Sequence, residues 1–304
     1  MDFRLSSDQQ TLATEIDKLA AQFESKPTEF HGFALVSHEL ENQLESAEFF
    51  DIARIPELGP VSAALAVERL ARLPYTAEIA LSMLVRPHLN GDWPRPLAMV
   101  ENGQTGRFVA AAKTLLVVNG SSVAIVQPTA AMIEPVDSIF AYPMGRFKGG
   151  AEMVPLSAEA SESARKWTRV ALAAEISGLL HAAIAATVEH LSVRKQFGRP
   201  LGAFQALRHR LAECAVLAGG VRLLALKAAA TGTEADAALA ALQAQESATR
   251  VVYEVHQMLG AMGMTLEHSL HLWTYRLKAL LSSLGGRAGQ AAAVAEHSFS
   301  AARP

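Results

Sequence analysis

The sequence holds a single cysteine, Cys214, so no internal disulfide can staple the chain. Lying on an apolar stretch, it reads as a buried structural thiol in a reducing compartment. Aromatic residues make up only 6% of the 304 positions and charged residues 19%. Neither sign dominates: 27 Lys and Arg stand against 30 Asp and Glu, a net charge of −3. That balance excludes the basic footprint of a nucleic-acid binder or of a protein held on an anionic membrane. Glu175, His181 and Glu189 interrupt the Ala-rich stretches, so no membrane-spanning segment is expected, and residues 1–7 carry no apolar signal core. A cytoplasmic location is the expectation. No cluster of His, Cys and Asp has metal-ligand spacing, and no nucleophile elbow is present. Aliphatic residues are abundant, with 50% hydrophobic content in a chain long enough to bury a large core in one or two domains.

Ser7 followed by Gln10 fits a capping box, and Leu12, Ile16, Leu19 and Phe23 then recur at helical spacing. Pro27 and Gly32 mark a connector, a weak helix is expected over 38–50, and Pro56, Gly59 and Pro60 introduce a stronger one with Val61, Ala64, Leu65, Val67 and Leu70 on its apolar face. A further helix is expected over 75–85. Residues 1–90 thus read as an N-terminal helical bundle. The composition then shifts: residues 108–118 and 122–126 read as strands joined at Asn119-Gly120, with weaker strand candidates at 131–136 and 151–156. Residues 91–158 form a reduced β domain. From 159 to 304 the pattern is helical, with segments over 160–193, 204–230, 235–259 and 266–281, four consecutive helices that suggest an antiparallel bundle. The fold class is mainly α.

Two stretches carry chemistry. Where the first long helical segment stops, Arg194-Lys195-Gln196-Phe197-Gly198-Arg199-Pro200 leads through Leu201, Gly202 and Ala203 into Phe204-Gln205 and on to His209 and Glu213. Gly198 and Pro200 make it a helix, a tight connector and a helix. A guanidinium fork, an amide and a flat ring lie close together, parts that suit a diphosphate with its nucleoside. Read alone, the same residues equally fit a helix end that attracts cations through its dipole, with Phe197 in the core. The second stretch is Gln257-Met258-Leu259-Gly260-Ala261-Met262-Gly263, followed by Glu267 and by Tyr275-Arg276. Glycines at a helix end let backbone N–H groups approach a phosphate, and they also simply terminate helices.

The first stretch resembles, almost residue for residue, the pattern R-x-Q-F-G-x-P-L/I-x-x-F-Q-x-x-x-H-x-L-A-D/E of the acyl-CoA dehydrogenase family. The second is similar to that family's Q-x-x-G-G-x-G signature, departing from it at Ala261, where Gly or Ser is usual, and at Leu272, where a basic residue is expected. The resemblance implies an acyl-CoA dehydrogenase-like fold and, as contacts reaching the FAD of a partner chain, Arg194, Gln196, Phe197, Gln257, Gly260 and Ala261. Gln205 and His209 are expected to hold the helix pair together.

Family members remove an α-proton with a glutamate while the β-hydride goes to flavin N5. The base lies in a loop after the last signature helix or near the start of the long helix that ends in the first pattern. Here the loop reads Ser282-Ser283-Leu284-Gly285-Gly286-Arg287 and the helix reads Lys166-Trp167-Thr168-Arg169, neither with a carboxylate. The family's T-E-x-x-G-S-D segment, which holds flavin and substrate, is also absent. Glu175, Glu267, His181, His190 and His271 read as structural or solvated.

The resemblance therefore implies no catalytic residue in this chain. It points to the short, non-catalytic subunit of the α2β2 acyl-CoA dehydrogenases that actinobacteria use on steroids. Its partners would be a base-bearing acyl-CoA dehydrogenase-like subunit, an acyl-CoA with a bulky ring system at the shared site, and an electron-transfer flavoprotein. A non-enzymatic scaffold that binds a partner but no cofactor is the alternative.

Overall fold

A computed structural model describes residues 4–27, 35–101, 103, 105–150 and 152–299. The chain opens with α1 (Ser7–Ala21), α2 (His38–Ser46), α3 (Gly59–Ala71) and the short α4 (Ala80–Leu84). Ser6 and Gln9, one position ahead of the expected pair, close the capping box of α1. The helix expected over 75–85 shrinks to the five residues of α4, and the one over 38–50 stops at Ser46, with a 3₁₀ turn over Phe49–Arg54 after it. Pro60 sits in the first turn of α3, whose residues Ala63, Ala64, Ala66 and Val67 are fully buried.

Among the described residues seven short strands follow: β1 (Leu97–Glu101), β2 (Thr105–Arg107), β3 (Thr114–Asn119), β4 (Ser122–Val126), β5 (Ile133–Pro135), β6 (Met144–Phe147) and β7 (Val154–Pro155). They form two small sheets, β1-β3-β4-β7 and β2-β6-β5. β1 runs parallel to β3 with Leu97 beside Thr114, and the other pairings are antiparallel. Asn119 pairs with Ser122, so the hairpin turn is Gly120-Ser121, one residue later than expected. The apolar run starting at Phe108 is not strand from its beginning: Phe108 takes φ 61 and residues Val109–Ala111 make a 3₁₀ turn. Apolar content alone does not separate a strand from such a turn.

The rest is α5 (Ala158–Val193), a two-stranded hairpin of β8 (Lys195–Gln196) and β9 (Arg199–Pro200), then α6 (Gln205–Thr231), α7 (Glu234–Leu259), α8 (His271–Leu280) and α9 (Gly286–Phe299). The bundle differs from four equal helices, since α8 has only 10 residues and α9 adds 14. Gly232 at φ 60 ends α6 and Thr233 caps α7 by accepting from the Asp236 N–H. One core runs from α1 through α3 into α5–α8, and a second, smaller one lies under the strands around Ala98, Val109, Leu115 and Val126. Cys214 is buried, as expected.

The acidic and histidine residues do not break the apolar stretches after all. α5 and α6 each carry an 18-residue window apolar enough to cross a membrane; 83% of that window is buried in α5 and 39% in α6. α5 is the central core helix of the fold. α6 leaves an apolar side uncovered, with Val216 75% and Leu223 43% exposed.

The α3–α5 crossing depends on Gly178, because a Cβ there would sit 2.1 Å from the Glu68 carbonyl oxygen. Mid-helix Gly→Ala gains up to about 1 kcal/mol where space allows. At Gly178 overpacking reverses the sign, and Gly178→Ala is expected to cost about 3 kcal/mol in urea unfolding. Gly219 on α6 has nothing within 4 Å of its Cβ position, so Gly219→Ala is expected to be neutral or mildly stabilising. Equal effects from the two substitutions would contradict the close crossing.

Candidate functional site

The end of α5 turns outward at Arg194, whose backbone is extended at ψ 119. Lys195 pairs with Pro200 and Gln196 with Arg199, and the Leu201 N–H donates to the Arg194 carbonyl at 2.8 Å. The two residues at the tip, Phe197 and Gly198, have φ 53 and 79, both in the left-handed region as a tight type I′-like turn demands. Glycine accepts that region freely, whereas for Phe197 it costs about 1–2 kcal/mol. The same residue is 87% exposed, so the chain holds a large ring in a strained conformation with no core to reward it. Arg194 and Gln196 are exposed too, and no ion pair or side-chain hydrogen bond holds either one among the described residues. The core-aromatic reading of Phe197 is thereby overturned.

The second stretch ends α7. Gly260 adopts φ 61, ψ −135, a conformation suited to glycine, and a 3₁₀ turn over Gly260–Met264 follows. Its backbone is fixed by His256, whose Nδ1 lies 2.6 Å from the Gly263 carbonyl oxygen and whose Nε2 lies 3.1 Å from Thr274 Oγ1. Gln257, Gly260 and Ala261 are exposed. The fold brings both stretches to one end of the bundle, where α6 begins and α7 finishes. There Arg210 pairs with Glu254 at 2.7 Å, Glu213 pairs with Arg250, and the His190 and His268 rings meet edge to face at 5.2 Å. These ion pairs tie the helices together. Gln205 and His209, expected in that role, are exposed and make no such contact among the described residues. Arg276 lies away from this end: it is buried, donating to the carbonyls of Leu272, Tyr75 and Leu73 and joining α8 to the N-terminal helices.

A cavity of about 400 Å³ opens between the strands, α5 and the end of α8, lined by Glu101, Thr105, Arg107, Ser138, Thr168 and Ser283 among others. Both places where a base would be sought border it or lie near it, and both are occupied otherwise. The Leu284 N–H donates to Glu101 Oε1 at 2.6 Å. Burial pushes the Glu101 carboxyl above its usual range, against the hydrogen bonds from Leu284 and Gly285. The loop carbonyls are held by Gln245 Nε2, 3.0 Å from both Leu280 O and Ser283 O, and by Gln290 Nε2, 3.2 Å from Leu284 O. Arg169, at the other base position, is a buried cation that donates to Gln290 Oε1 at 3.0 Å and pairs with Glu234 at 3.3 Å. Nothing in the sequence pointed to Glu101, which lies 183 residues from the loop it binds.

Glu175 is structural. Its carboxylate takes Arg107 at 2.7 Å and the Tyr142 hydroxyl at 2.9 Å, joining α5 to the strand region, and burial together with this carboxylate drives the Tyr142 phenol up. Sequence spacing also missed a group of Glu162, Glu234 and His297, whose ligand atoms lie within 4.8 Å of one another. Burial raises the Glu234 carboxyl to about 7, and the nearby Arg165, Lys166 and Arg169 already supply positive charge there. A metal ion would have to compete with those cations.

Residues 159–299 match the family described as acyl-CoA dehydrogenase, C-terminal domain. The chain is 38% identical over 107 residues to the acyl-CoA dehydrogenase IpdE2 of Mycobacterium tuberculosis, a stretch covering 35% of this chain and 34% of that protein. The match thus spans about a third of the relative's length. Among solved structures, the ChsE4-ChsE5 complex of Mycobacterium tuberculosis superposes with a TM-score of 0.76 at 19% identity over 100% of both chains. A steroid ACAD, Tcur3481-Tcur3483, gives 0.77 at 20% identity over 97% of this chain and 99% of that one. At those identities the likeness is one of fold.

Proposed function

We propose that the protein is the non-catalytic subunit of a heteromeric, FAD-dependent acyl-CoA dehydrogenase, a reading supported by the match of residues 159–299 to the acyl-CoA dehydrogenase C-terminal domain family and by the fold the chain shares with solved acyl-CoA dehydrogenases. It completes the FAD site of a base-bearing partner chain. The observation that carries this reading is the hairpin tip: Phe197 strained and 87% exposed beside Arg194 and Gln196, which have no ion pair or side-chain hydrogen bond among the described residues. These groups, with Gln257, Gly260 and Ala261 at the same end of the bundle, fit a dinucleotide. A guanidinium suits the diphosphate, an open glycine turn admits close approach of backbone N–H groups, and an aromatic face suits a ring. FAD, when bound, accepts the hydride removed from the acyl β-carbon.

This chain's own residues orient and neutralise the cofactor. In this reading they do not take the substrate proton: the loop at 282–287 carries no carboxylate and is held by Glu101, Gln245 and Gln290, and Arg169 stands at the other base position. One structural neighbour, named as a steroid ACAD, supports a bulky, steroid-derived acyl-CoA as substrate; a cytoplasmic location and an electron-transfer flavoprotein as acceptor belong to the same proposal. Co-expression with a longer acyl-CoA dehydrogenase homologue that carries the base is expected to give a complex that oxidises such a thioester, while the isolated chain gives no turnover. Turnover by the isolated chain refutes the reading. The scaffold alternative predicts an assembly of equal stability whose flavin does not respond to Arg194.

A further inference from the structure

Arg199 was assigned no role by the sequence pattern, where its position is open to any residue. The hairpin register places it directly opposite Gln196. Cross-strand partners share a face, and alternation puts Arg194 on that face as well, with Lys195 and Pro200 on the other. The Arg199 guanidinium lies 4.1 Å from the centre of the Phe204 ring, and Phe204 in turn meets Phe197 edge to face at 6.0 Å. No carboxylate occurs between Arg194 and Ala212. Of the other cations in that stretch, Arg208 Nε donates to the Gly202 carbonyl at 2.6 Å and Arg210 pairs with Glu254, while Arg199 has no ion pair among the described residues.

A diphosphate carries two phosphates, and one guanidinium fork satisfies one of them. A second guanidinium on the same face, weakly hydrated and resting on an aromatic ring, is a preorganised partner for the other phosphate. We propose that Arg199 is a second cofactor-binding residue: it leaves or tilts from Phe204 to bind the adenylate-side phosphate of the dinucleotide, while Arg194 binds the flavin-side phosphate. This rests on the proposed reading that the hairpin reaches a partner's FAD.

The test uses the assembled complex stripped of flavin and titrated with FAD and with FMN, which lacks the adenylate phosphate. Arg199→Gln is expected to weaken FAD binding about tenfold, to leave FMN binding unchanged, and to make FAD affinity less dependent on salt. Arg199→Lys, keeping charge without the fork, recovers part of the loss. An Arg199→Gln complex with parental FAD affinity, or one that loses FAD and FMN equally because the residue only braces Phe197, overturns the assignment. Arg194→Ala serves as the reference. If it weakens FAD and Arg199→Gln does not, only the Arg199 assignment fails; if neither does, the reading of the hairpin fails.

Discussion

Arg194→Ala is expected to lower the affinity of the proposed complex for FAD by one to two orders of magnitude and to leave the folding of the chain unchanged. The size follows from removing a charge-assisted hydrogen-bonding group, worth about 1.5–3 kcal/mol. The neutrality toward folding follows from the structure. The side chain is exposed and unpaired among the described residues, and only its backbone takes part in the hairpin, through its N–H to His190 and its carbonyl from Leu201. Flavin titration of the purified complex measures the first effect and thermal unfolding of the single chain the second. A drop in thermal stability of the isolated chain comparable to the binding loss would show that Arg194 holds the fold rather than a ligand.

The largest effect on stability is expected at Glu175. Its carboxylate neutralises Arg107 at 2.7 Å, accepts from Tyr142 at 2.9 Å, and lies close enough to the buried Arg276 to favour that residue's charged form. Desolvation works against both arginines, so taking away the acid leaves uncompensated positive charge between α5 and the strands. Glu175→Leu is expected to cost about 3–5 kcal/mol in denaturant unfolding. The double variant Glu175→Leu with Arg107→Met should recover most of that, because an apolar pair replaces an orphaned charge. Additive losses in the double variant would mean that the two residues do not act as a pair.

The parts of the molecule that were legible in the sequence are those written in local chemistry. Gly198 and Pro200 stop α5, and the run from Arg194 to Glu213 specifies a turn between two helices by residue type alone. Gly232 likewise marks the α6–α7 junction. What escaped was long-range or conformational. β1 and β2 lie in a stretch broken by Pro94, Pro96, Gly103 and Gly106, and β1 finds its parallel partner only after a crossover. The exposure of Phe197 reverses what apolarity suggests, since nothing in a one-dimensional pattern reports φ 53. Glu101 and Glu175 are ordinary acids in the sequence and acquire their roles from the Leu284 N–H and Arg107, far along the chain.

The uncovered side of α6 has the same lesson. Its composition satisfies the length and hydropathy of a membrane span, and Glu175, His181 and Glu189, all on α5, were a poor guide against it. Burial distinguishes the two candidate helices: α5 is enclosed by the fold, and α6 presents Val216 and Leu223 outward along its middle and second half. An apolar helix face leading away from the hairpin fits the proposed role of a chain that is completed by a neighbour.

The most direct measurement is flavin absorbance on two samples purified side by side, the chain alone and the chain with its base-bearing partner. A colourless chain and a yellow complex that fades when Arg194 is replaced is the predicted result. A chain that retains FAD in its own cavity without a partner would contradict the account at its root.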